Sequence, residues 1–251
     1  MGIVTINQQD YAIEGIIFDK DDTLIEFDCL WGPRTESWVA SVVDTAQLPH
    51  EAKGDLYRVL GYSPEEAMVQ AESPLAIASI ETLSTLVAGV LYQRGIHWHQ
   101  AYAYAKETAR NTILGDFDPQ EIQPKGNIEK VMRQLAQAHI KIAVITSDDR
   151  SMTEKTLSYL GVSDLVETLI CGDDPFPNKP APEAIHYAAA EWGISPNAMM
   201  MVGDTLNDMQ FAINAGAKYR IGVTSHSGDK TELASMADTL ITSIDEIIPV
   251  K

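Results

Sequence analysis

The chain has 251 residues, of which 45% are apolar and 22% charged; this composition excludes a disordered chain and allows a core domain plus a smaller one. The formal net charge of -18 repels phosphate backbones and anionic membranes, so we expect neither nucleic acid nor membrane partners. The two cysteines lie far apart in sequence, and the first residues lack the basic start and apolar run of a secretory signal. Both features favour a cytoplasmic location.

Short apolar runs bounded by turn residues alternate with helical patterns along much of the chain. They predict strands at 15–18, 141–146, 167–171, 199–203 and 219–223, with helices near 127–138, 151–160, 182–192 and 205–215. Apolar runs of this kind suit strands that are buried on both faces. The pattern therefore predicts an α/β fold, with a Rossmann-like, doubly wound parallel sheet between helices.

The sequence pattern changes between the first predicted strand and the later ones. Residues 30–118 carry helical patterns throughout, and no convincing strand appears among them. The apolar stretch from Leu75 to Tyr92 is broken by polar residues, so it predicts a buried helix rather than a membrane span. We expect a core formed by residues 1–25 and 124–251, with an all-helical insertion at 26–123. The segment 117–127, with two prolines and a glycine, predicts the return hinge.

Two acidic motifs follow predicted strands. Asp19 and Asp21 come directly after the first strand, and their spacing points both side chains to the same side of an extended chain. Asp204 and Asp208 follow the fourth strand, one helical turn apart. Four carboxylates offer the oxygen ligands that suit a hard cation such as Mg²⁺. Taken singly, each pair also fits a solvated turn or a capped helix start.

Two further motifs carry phosphate-binding groups. Thr146 and Ser147 end the second strand, where a hydroxyl could bind a phosphate oxygen or simply cap the next helix. Lys179 precedes Pro180, which opens the next helix. A lysine near the positive end of a helix is unfavourable unless an anion lies close, although an exposed surface lysine is the simpler alternative. Because open α/β sheets bind ligands outside the carboxyl ends of their strands, we expect all four motifs to meet.

The order of these motifs, DKDDT, a strand-end Thr146, KPAP and GDTLND, resembles the haloacid dehalogenase superfamily of phosphohydrolases across roughly residues 12–25 and 124–251. The helical insertion resembles the cap of its phosphoglycolate phosphatase and β-phosphoglucomutase branch. The resemblance implies a Mg²⁺-dependent phosphatase that acts on a small phosphorylated molecule. An acid at Asp21 points towards phosphate chemistry, since the dehalogenases of this superfamily lack it.

The resemblance also implies a role for each motif residue. Asp19 would be the nucleophile that forms an aspartyl-phosphate, and Asp21 would be the general acid and then the base. Thr146, Ser147 and Lys179 would hold the phosphoryl group, and Lys179 would also balance charge. Asp204 would bind Mg²⁺ together with Asp19 and the backbone carbonyl of Asp21, and Asp208 would support that site.

Some features depart from the resemblance or stay open. Many relatives carry glycine in place of Asp22 and an apolar residue in place of Lys20, which weakens any assignment to phosphoglycolate itself. Arg34, in the insertion, could reach an anionic group of the substrate, although a surface arginine is the common alternative. A phosphosugar mutase using the same phosphoenzyme, and a silent binding protein on this fold, are the other hypotheses. The substrate and the oligomeric state cannot be predicted from the sequence.

Overall fold

The computed structural model describes residues 1–70, 73–115, 121–224 and 230–250. The chain divides into two compact units, one formed by Met1–Glu26 with Gln123–Lys251 and the other by Phe27–Ile122. These divisions lie one residue from the predicted boundaries. Residues 117–120 of the predicted hinge fall outside the described residues.

The strands and helices are numbered in chain order. The strands are β1 Gly2–Ile6, β2 Gln9–Ile13, β3 Gly15–Phe18, β4 Tyr62–Ser63, β5 Met68–Val69, β6 Lys141–Ile145, β7 Thr168–Ile170, β8 Met199–Gly203, β9 Tyr219–Val223, β10 Thr239–Ile241 and β11 Ile248–Pro249. The helices are α1 Phe27–Thr45, α2 Ala52–Leu60, α3 Pro74–Ile77, α4 Ile80–Gln93, α5 Trp98–Thr112, α6 Ile128–Gln137, α7 Arg150–Tyr159, α8 Glu183–Trp192, α9 Leu206–Ala215 and α10 Lys230–Met236.

The larger unit is built on the predicted parallel sheet, in which β10 joins the five predicted strands as a sixth. Its strand order is β10-β9-β8-β3-β6-β7, and every pairing is parallel. The central strand β3 is buried at every residue. Its register places Phe18 opposite Val144 of β6 and Val202 of β8. The residues that follow these three strands therefore leave the sheet at the same edge.

A continuous apolar core fixes this edge. Ile17 of β3 and Met201 of β8 are fully buried, and they belong to one cluster with Ile185 of α8 and Phe211 of α9. Helices α8 and α9 also contact each other. Burial of such side chains stabilises a fold by about 1.5–3 kcal/mol each, so the strand ends and the starts of these helices are rigidly placed.

A second sheet in the same unit was not predicted. Strands β1 and β2 form an antiparallel hairpin, and β11 pairs with β1. The hairpin turns at Asn7 and Gln8, which have φ values of 49° and 66°. Two left-handed residues form a tight hairpin turn that usually carries glycine, and Asn-Gln is a weak form of that signal. The alternation of apolar Val4 and Ile6 with Thr5 was the better indication in the sequence, and both apolar residues are buried.

The smaller unit consists of helices α1 to α5 with one exception. A two-stranded hairpin, β4 with β5, lies between α2 and α3, so the prediction of an all-helical insertion was wrong at this point. The predicted helix from Leu75 to Tyr92 is also divided, because the chain is extended at Ala78 and Ser79 between α3 and α4. Among the described residues, no helix combines the length and the apolarity needed to cross a membrane.

The chain passes between the units through two paired segments. Glu26 N donates to Gln123 O at 2.8 Å, and Lys125 N donates to Leu24 O at 2.9 Å. An antiparallel bridge joins Ile25 to Pro124 between these two hydrogen bonds. The outgoing and returning segments therefore form one short antiparallel ribbon, which belongs to the larger unit.

Candidate active site

The loop after β3 forms the centre of the site. Asp19 N donates to Val202 O at 2.9 Å, which continues the sheet by one residue, and the loop then closes with Leu24 N on Lys20 O at 2.8 Å. Asp22 lies in this turn with a φ of 50°, and its carbonyl accepts a hydrogen bond from Lys125 Nζ at 2.9 Å. Aspartate tolerates the left-handed region better than most residues. Aspartate is therefore compatible with this turn.

Lys179 connects the first motif to the last. Its Nζ lies 2.7 Å from Asp19 Oδ1 and 2.7 Å from Asp208 Oδ1. The Lys179 and Asp208 side chains are only 6% and 2% exposed. Burial alone would lower the pKa of Lys179, but the two carboxylates outweigh it and hold that pKa above the usual value. Lys179 therefore stays an ammonium, and the exposed-lysine alternative is excluded.

Helix α9 holds both partners in place. Asn207 and Asn214 donate to the carbonyls of Lys179 and Pro180 at 3.4 and 2.8 Å. Asp208 also completes a capping box with Thr205, since its Oδ2 accepts from Thr205 N at 3.1 Å and from Thr205 Oγ1 at 2.6 Å. Asp208 thus serves as helix cap and as partner of Lys179 at once. The helix-cap alternative weighed from sequence is therefore realised, whereas the metal-binding role of Asp208 stays a prediction.

Gly203 leaves the space that Asp208 needs. A Cβ atom at Gly203 would lie 2.5 Å from Cγ of Asp208, which is closer than side chains approach each other. The glycine at the end of β8 is therefore required by close packing, because its φ is not in the left-handed region. Any larger residue would push Asp208 away from Lys179.

Burial and neighbouring carboxylates raise the pKa values of Asp19 and Asp204. Burial raises the pKa of Asp19 to about 7, with further upward contributions from Asp208 and Asp21 and an opposing one from Lys179. Burial, followed by the charges of Asp208, Asp19 and Asp22, raises the pKa of Asp204 well above its usual value. Crowded carboxylates of this kind favour either a shared proton or a cation between them.

Three of the four predicted metal-binding aspartates come together. Asp19, Asp204 and Asp208 each offer an oxygen atom, and these atoms lie within 4.8 Å of one another. The side chain of Asp21 instead binds Lys20 Nζ at 2.8 Å. An all-oxygen donor set of this size matches the preference of Mg²⁺.

The predicted phosphate-binding residues line one small cavity. Thr146, Ser147 and Lys179 border a space of about 20 Å³, closed on the apolar side by Phe176 and Phe211. This is room for about one water-sized group. Thr146 is buried, and its Oγ1 accepts a hydrogen bond from Asp148 N at 3.2 Å. The predicted phosphate-binding residues thus border the same space.

Arg34 lies in the smaller unit and is 6% exposed, so the surface-arginine alternative was wrong. Its guanidinium donates to the carbonyls of Ile113 at 2.7 Å and Thr112 at 3.3 Å, and it pairs with Glu121 at 2.9 Å. These contacts fasten α1 to the end of α5 and account for the burial. A role of Arg34 in substrate specificity stays a prediction.

Sequence reasoning missed three supporting residues. Lys20 was noted only as a departure, although it pairs with Asp21 and Asp148. Lys125 was placed in a hinge, and nothing in its local pattern indicated that Nζ reaches Asp22. Thr205 was readable in principle, because Thr followed three residues later by an acid is the pattern of a capping box.

Comparisons with known proteins agree with this geometry. The family model described as haloacid dehalogenase-like hydrolase matches residues 13–216. A phosphoglycolate phosphatase of Pectobacterium atrosepticum is 26% identical over 95% of this chain and 92% of its own. The crystal structure of a predicted phosphoglycolate phosphatase from Haemophilus somnus is 18% identical with a TM-score of 0.67, over 92% of this chain and 94% of its own.

A third relative shares the fold. A β-phosphoglucomutase of Clostridium difficile is 16% identical with a TM-score of 0.63, over 93% of this chain and 92% of its own. The sheet order, the insertion after β3 and the meeting of four motifs at one edge are all consistent with the family match. This chain belongs to the haloacid dehalogenase-like hydrolases.

Proposed function

We propose that this hydrolase is a Mg²⁺-dependent phosphatase that cleaves a small-molecule phosphate monoester through an aspartyl-phosphate on Asp19. The observation that carries the proposal is the buried Lys179 ammonium, 2.7 Å from Asp19 and 2.7 Å from Asp208 at the end of the central strands. Such an arrangement holds a carboxylate beside the positive charge that a phosphoryl group requires. The phosphatase relative that aligns over nearly the whole chain supports the same activity.

The residues present fit a magnesium ion. Asp19, Asp204 and Asp208 offer oxygens within 4.8 Å of one another. Burial and neighbouring carboxylates raise the pKa values of Asp19 and Asp204, which disfavours their charged forms without a cation. Asp19 and Asp204 would hold the ion, with the backbone carbonyl of Asp21, and Asp208 would support it. When bound, Mg²⁺ neutralises charge on the phosphoryl oxygens.

In the first half-reaction a carboxylate oxygen of Asp19 attacks phosphorus, and the ester P–O bond breaks. The leaving oxygen takes its proton from Asp21. Lys179, Thr146 and Ser147 hold the phosphoryl oxygens during transfer. This division of roles matches phosphoryl transfer in general, which depends chiefly on positioning and on charge stabilisation.

In the second half-reaction water attacks the phosphorus of the aspartyl-phosphate, and Asp21 takes the proton of that water. The bond to Asp19 breaks, which restores the carboxylate and releases inorganic phosphate. Using one residue first as acid and then as base returns Asp21 to its starting state after each cycle. Covalent capture divides one difficult displacement into two easier ones.

A phosphosugar mutase would use the same phosphoenzyme but return the phosphoryl group to the sugar. Net release of phosphate from a sugar phosphate, without a bisphosphate activator, would argue for the phosphatase. A silent binding protein would release no phosphate from any ester. The substrate panel should include phosphoglycolate and several phosphosugars, because the departures at Lys20 and Asp22 weaken an assignment to phosphoglycolate.

Removal of the metal is expected to remove the activity. Phosphate release from an aryl phosphate should fall at least about 100-fold in excess chelator and return with Mg²⁺, since losing charge neutralisation costs several kcal/mol of barrier. Mg²⁺ should also raise the melting temperature, because it binds the folded protein. The Asp204→Asn variant should show neither the Mg²⁺-dependent activity nor the Mg²⁺-dependent rise in melting temperature. Full activity in chelator would contradict the proposal.

Asp21→Asn is expected to separate the two kinds of ester. Aryl phosphates have good leaving groups, so the rate of the first step should fall little with them. With alkyl phosphates that rate should fall about 100-fold or more, because the proton donor is missing. Single-turnover kinetics with one aryl and one alkyl ester measure this difference. Equal losses for both would mean that Asp21 serves the metal or the fold instead.

A further inference from the structure

Lys20 has an unusual environment for a lysine. Its side chain is completely buried. Its Nζ lies 2.8 Å from Asp21 Oδ1 and 3.0 Å from Asp148 Oδ2. An ammonium taken out of water is tolerated only where carboxylates compensate it. Two carboxylates, one from each of two neighbouring strand ends, therefore hold the ammonium of Lys20.

Asp148 acts as the fixed end of this arrangement. Its backbone N donates to Thr146 Oγ1 at 3.2 Å, and its carbonyl accepts from Gly172 N at 2.8 Å. Its carboxylate Oδ1 accepts from Asp149 N at 2.8 Å, and the side chain is only 2% exposed. The oxygen that binds Lys20 is thus held by a rigid loop, and Lys20 cannot move without breaking a buried ion pair.

Asp21 is the more exposed end. Its side chain is 15% exposed, compared with 2% for Asp148. A carboxylate at the mouth of a site can adopt several side-chain rotamers unless a partner selects one. The ammonium of Lys20 engages Oδ1 at 2.8 Å and so favours one rotamer. Proton transfer requires heavy atoms within about 2.6–3.2 Å, so a wrong rotamer would stop it.

We propose that Lys20 is a positioning residue that ties the Asp21 carboxylate to the Thr146–Asp148 loop in the orientation for proton transfer to the leaving oxygen. This inference rests on the proposed function, because it deepens the role given there to Asp21. It also links the general acid to the loop that carries the phosphate-binding hydroxyl of Thr146. A purely structural lysine, which only neutralises Asp148, is the competing explanation.

The test is the dependence of the rate on the leaving group. Lys20→Met should reduce kcat no more than about threefold for an acidic phenol ester and about 100-fold for an alkyl ester, with little change in KM. Asp21→Asn should show the same pattern. Both changes remove the same function, which is proton transfer from Asp21 to the leaving oxygen. The double variant Lys20→Met/Asp21→Asn should therefore be no slower than Asp21→Asn alone.

Two further variants keep the test independent of folding. Lys20→Met/Asp148→Asn removes the buried charge that Lys20→Met leaves behind, and it should show the same leaving-group pattern. Lys141→Met removes an exposed lysine that pairs with Glu167, and it should leave the pattern as in the wild type. Circular dichroism checks the fold of each variant.

The outcomes separate the two proposals. Equal losses on all esters, additivity with Asp21→Asn, or failure of both Lys20 variants to fold would overturn the positioning role and leave the phosphatase intact. A wild type that releases no phosphate from any ester would overturn the proposed function and this inference with it.

Discussion

Replacement of Asp19 by asparagine is expected to abolish turnover and leave the fold intact. An amide is a poor nucleophile, so the rate should fall at least about 100-fold, which corresponds to about 2.7 kcal/mol of barrier or more. Burial raises the pKa of Asp19 to about 7, which means that the site disfavours the charged carboxylate. The neutral amide should therefore melt at or above the wild-type temperature in metal-free buffer.

Two measurements check this expectation. Acid quench with labelled substrate should trap phosphoenzyme in the wild type and none in Asp19→Asn. Thermal denaturation should show no loss of stability. The matched control is Asp10→Asn, an exposed aspartate bonded to Thr5, which should keep its activity. A variant at Asp19 that retained more than about a hundredth of the wild-type rate would exclude the covalent mechanism.

Replacement of Lys179 by methionine is expected to damage stability and activity together. It leaves Asp19 and Asp208 buried without their ammonium, and breaking a buried ion pair from one side costs about 3–5 kcal/mol. Transfer of the phosphoryl group loses its fixed positive charge at the same time, which should lower kcat by about 100-fold or more. Urea unfolding and steady-state kinetics measure the two losses.

The stability loss should depend on pH with a definite sign. Because the folded pKa of Asp19 is raised, the folded state binds more protons than the unfolded state between about pH 4 and pH 7, and stability falls as pH rises through that window. Lys179 opposes this rise in pKa. Its removal should extend the window upwards, so Lys179→Met should lose more stability at about pH 8 than at about pH 5.

A second variant separates charge from shape. Lys179→Met/Asp208→Asn removes one of the two unpaired carboxylates and should recover part of the stability without recovering activity. Equal destabilisation at both pH values would show that Lys179 stabilises the protein by packing against Phe211, whose ring centre lies 5.8 Å from Nζ, and not by charge.

The parallel sheet was predictable because its strands are short apolar runs between turn residues. All five predicted strands form, and the register of β3 with β6 and β8 then brings the motif residues to one edge. The hairpin β1–β2 escaped prediction because Asn7-Gln8 lacks the glycine that usually marks such turns. Short or solvent-facing strands carry little signal of their own.

The site was predictable in its members but not in its pairings. The order of motifs indicates that Asp19, Lys179 and Asp208 meet, but not that Lys179 joins the other two. The pairings of Lys20 and Lys125 could not be predicted from the sequence, for a physical reason. A long side chain can place its ammonium several ångströms from its own backbone, and the partner, Asp148 or Asp22, depends on the tertiary fold.

The ribbon of Leu24–Glu26 and Gln123–Lys125 has a consequence for how such enzymes diversify. Because Glu26 and Gln123 are hydrogen-bonded neighbours, the 96 residues of Phe27–Ile122 leave and re-enter the catalytic unit at adjacent points. In its connection to the sheet, the whole insertion is equivalent to the loop of a β-hairpin. An insertion joined in this way can be exchanged, lengthened or shortened through recombination without altering the register of any strand of the parallel sheet. The insertion and the edge of the sheet can then change on separate stretches of one gene.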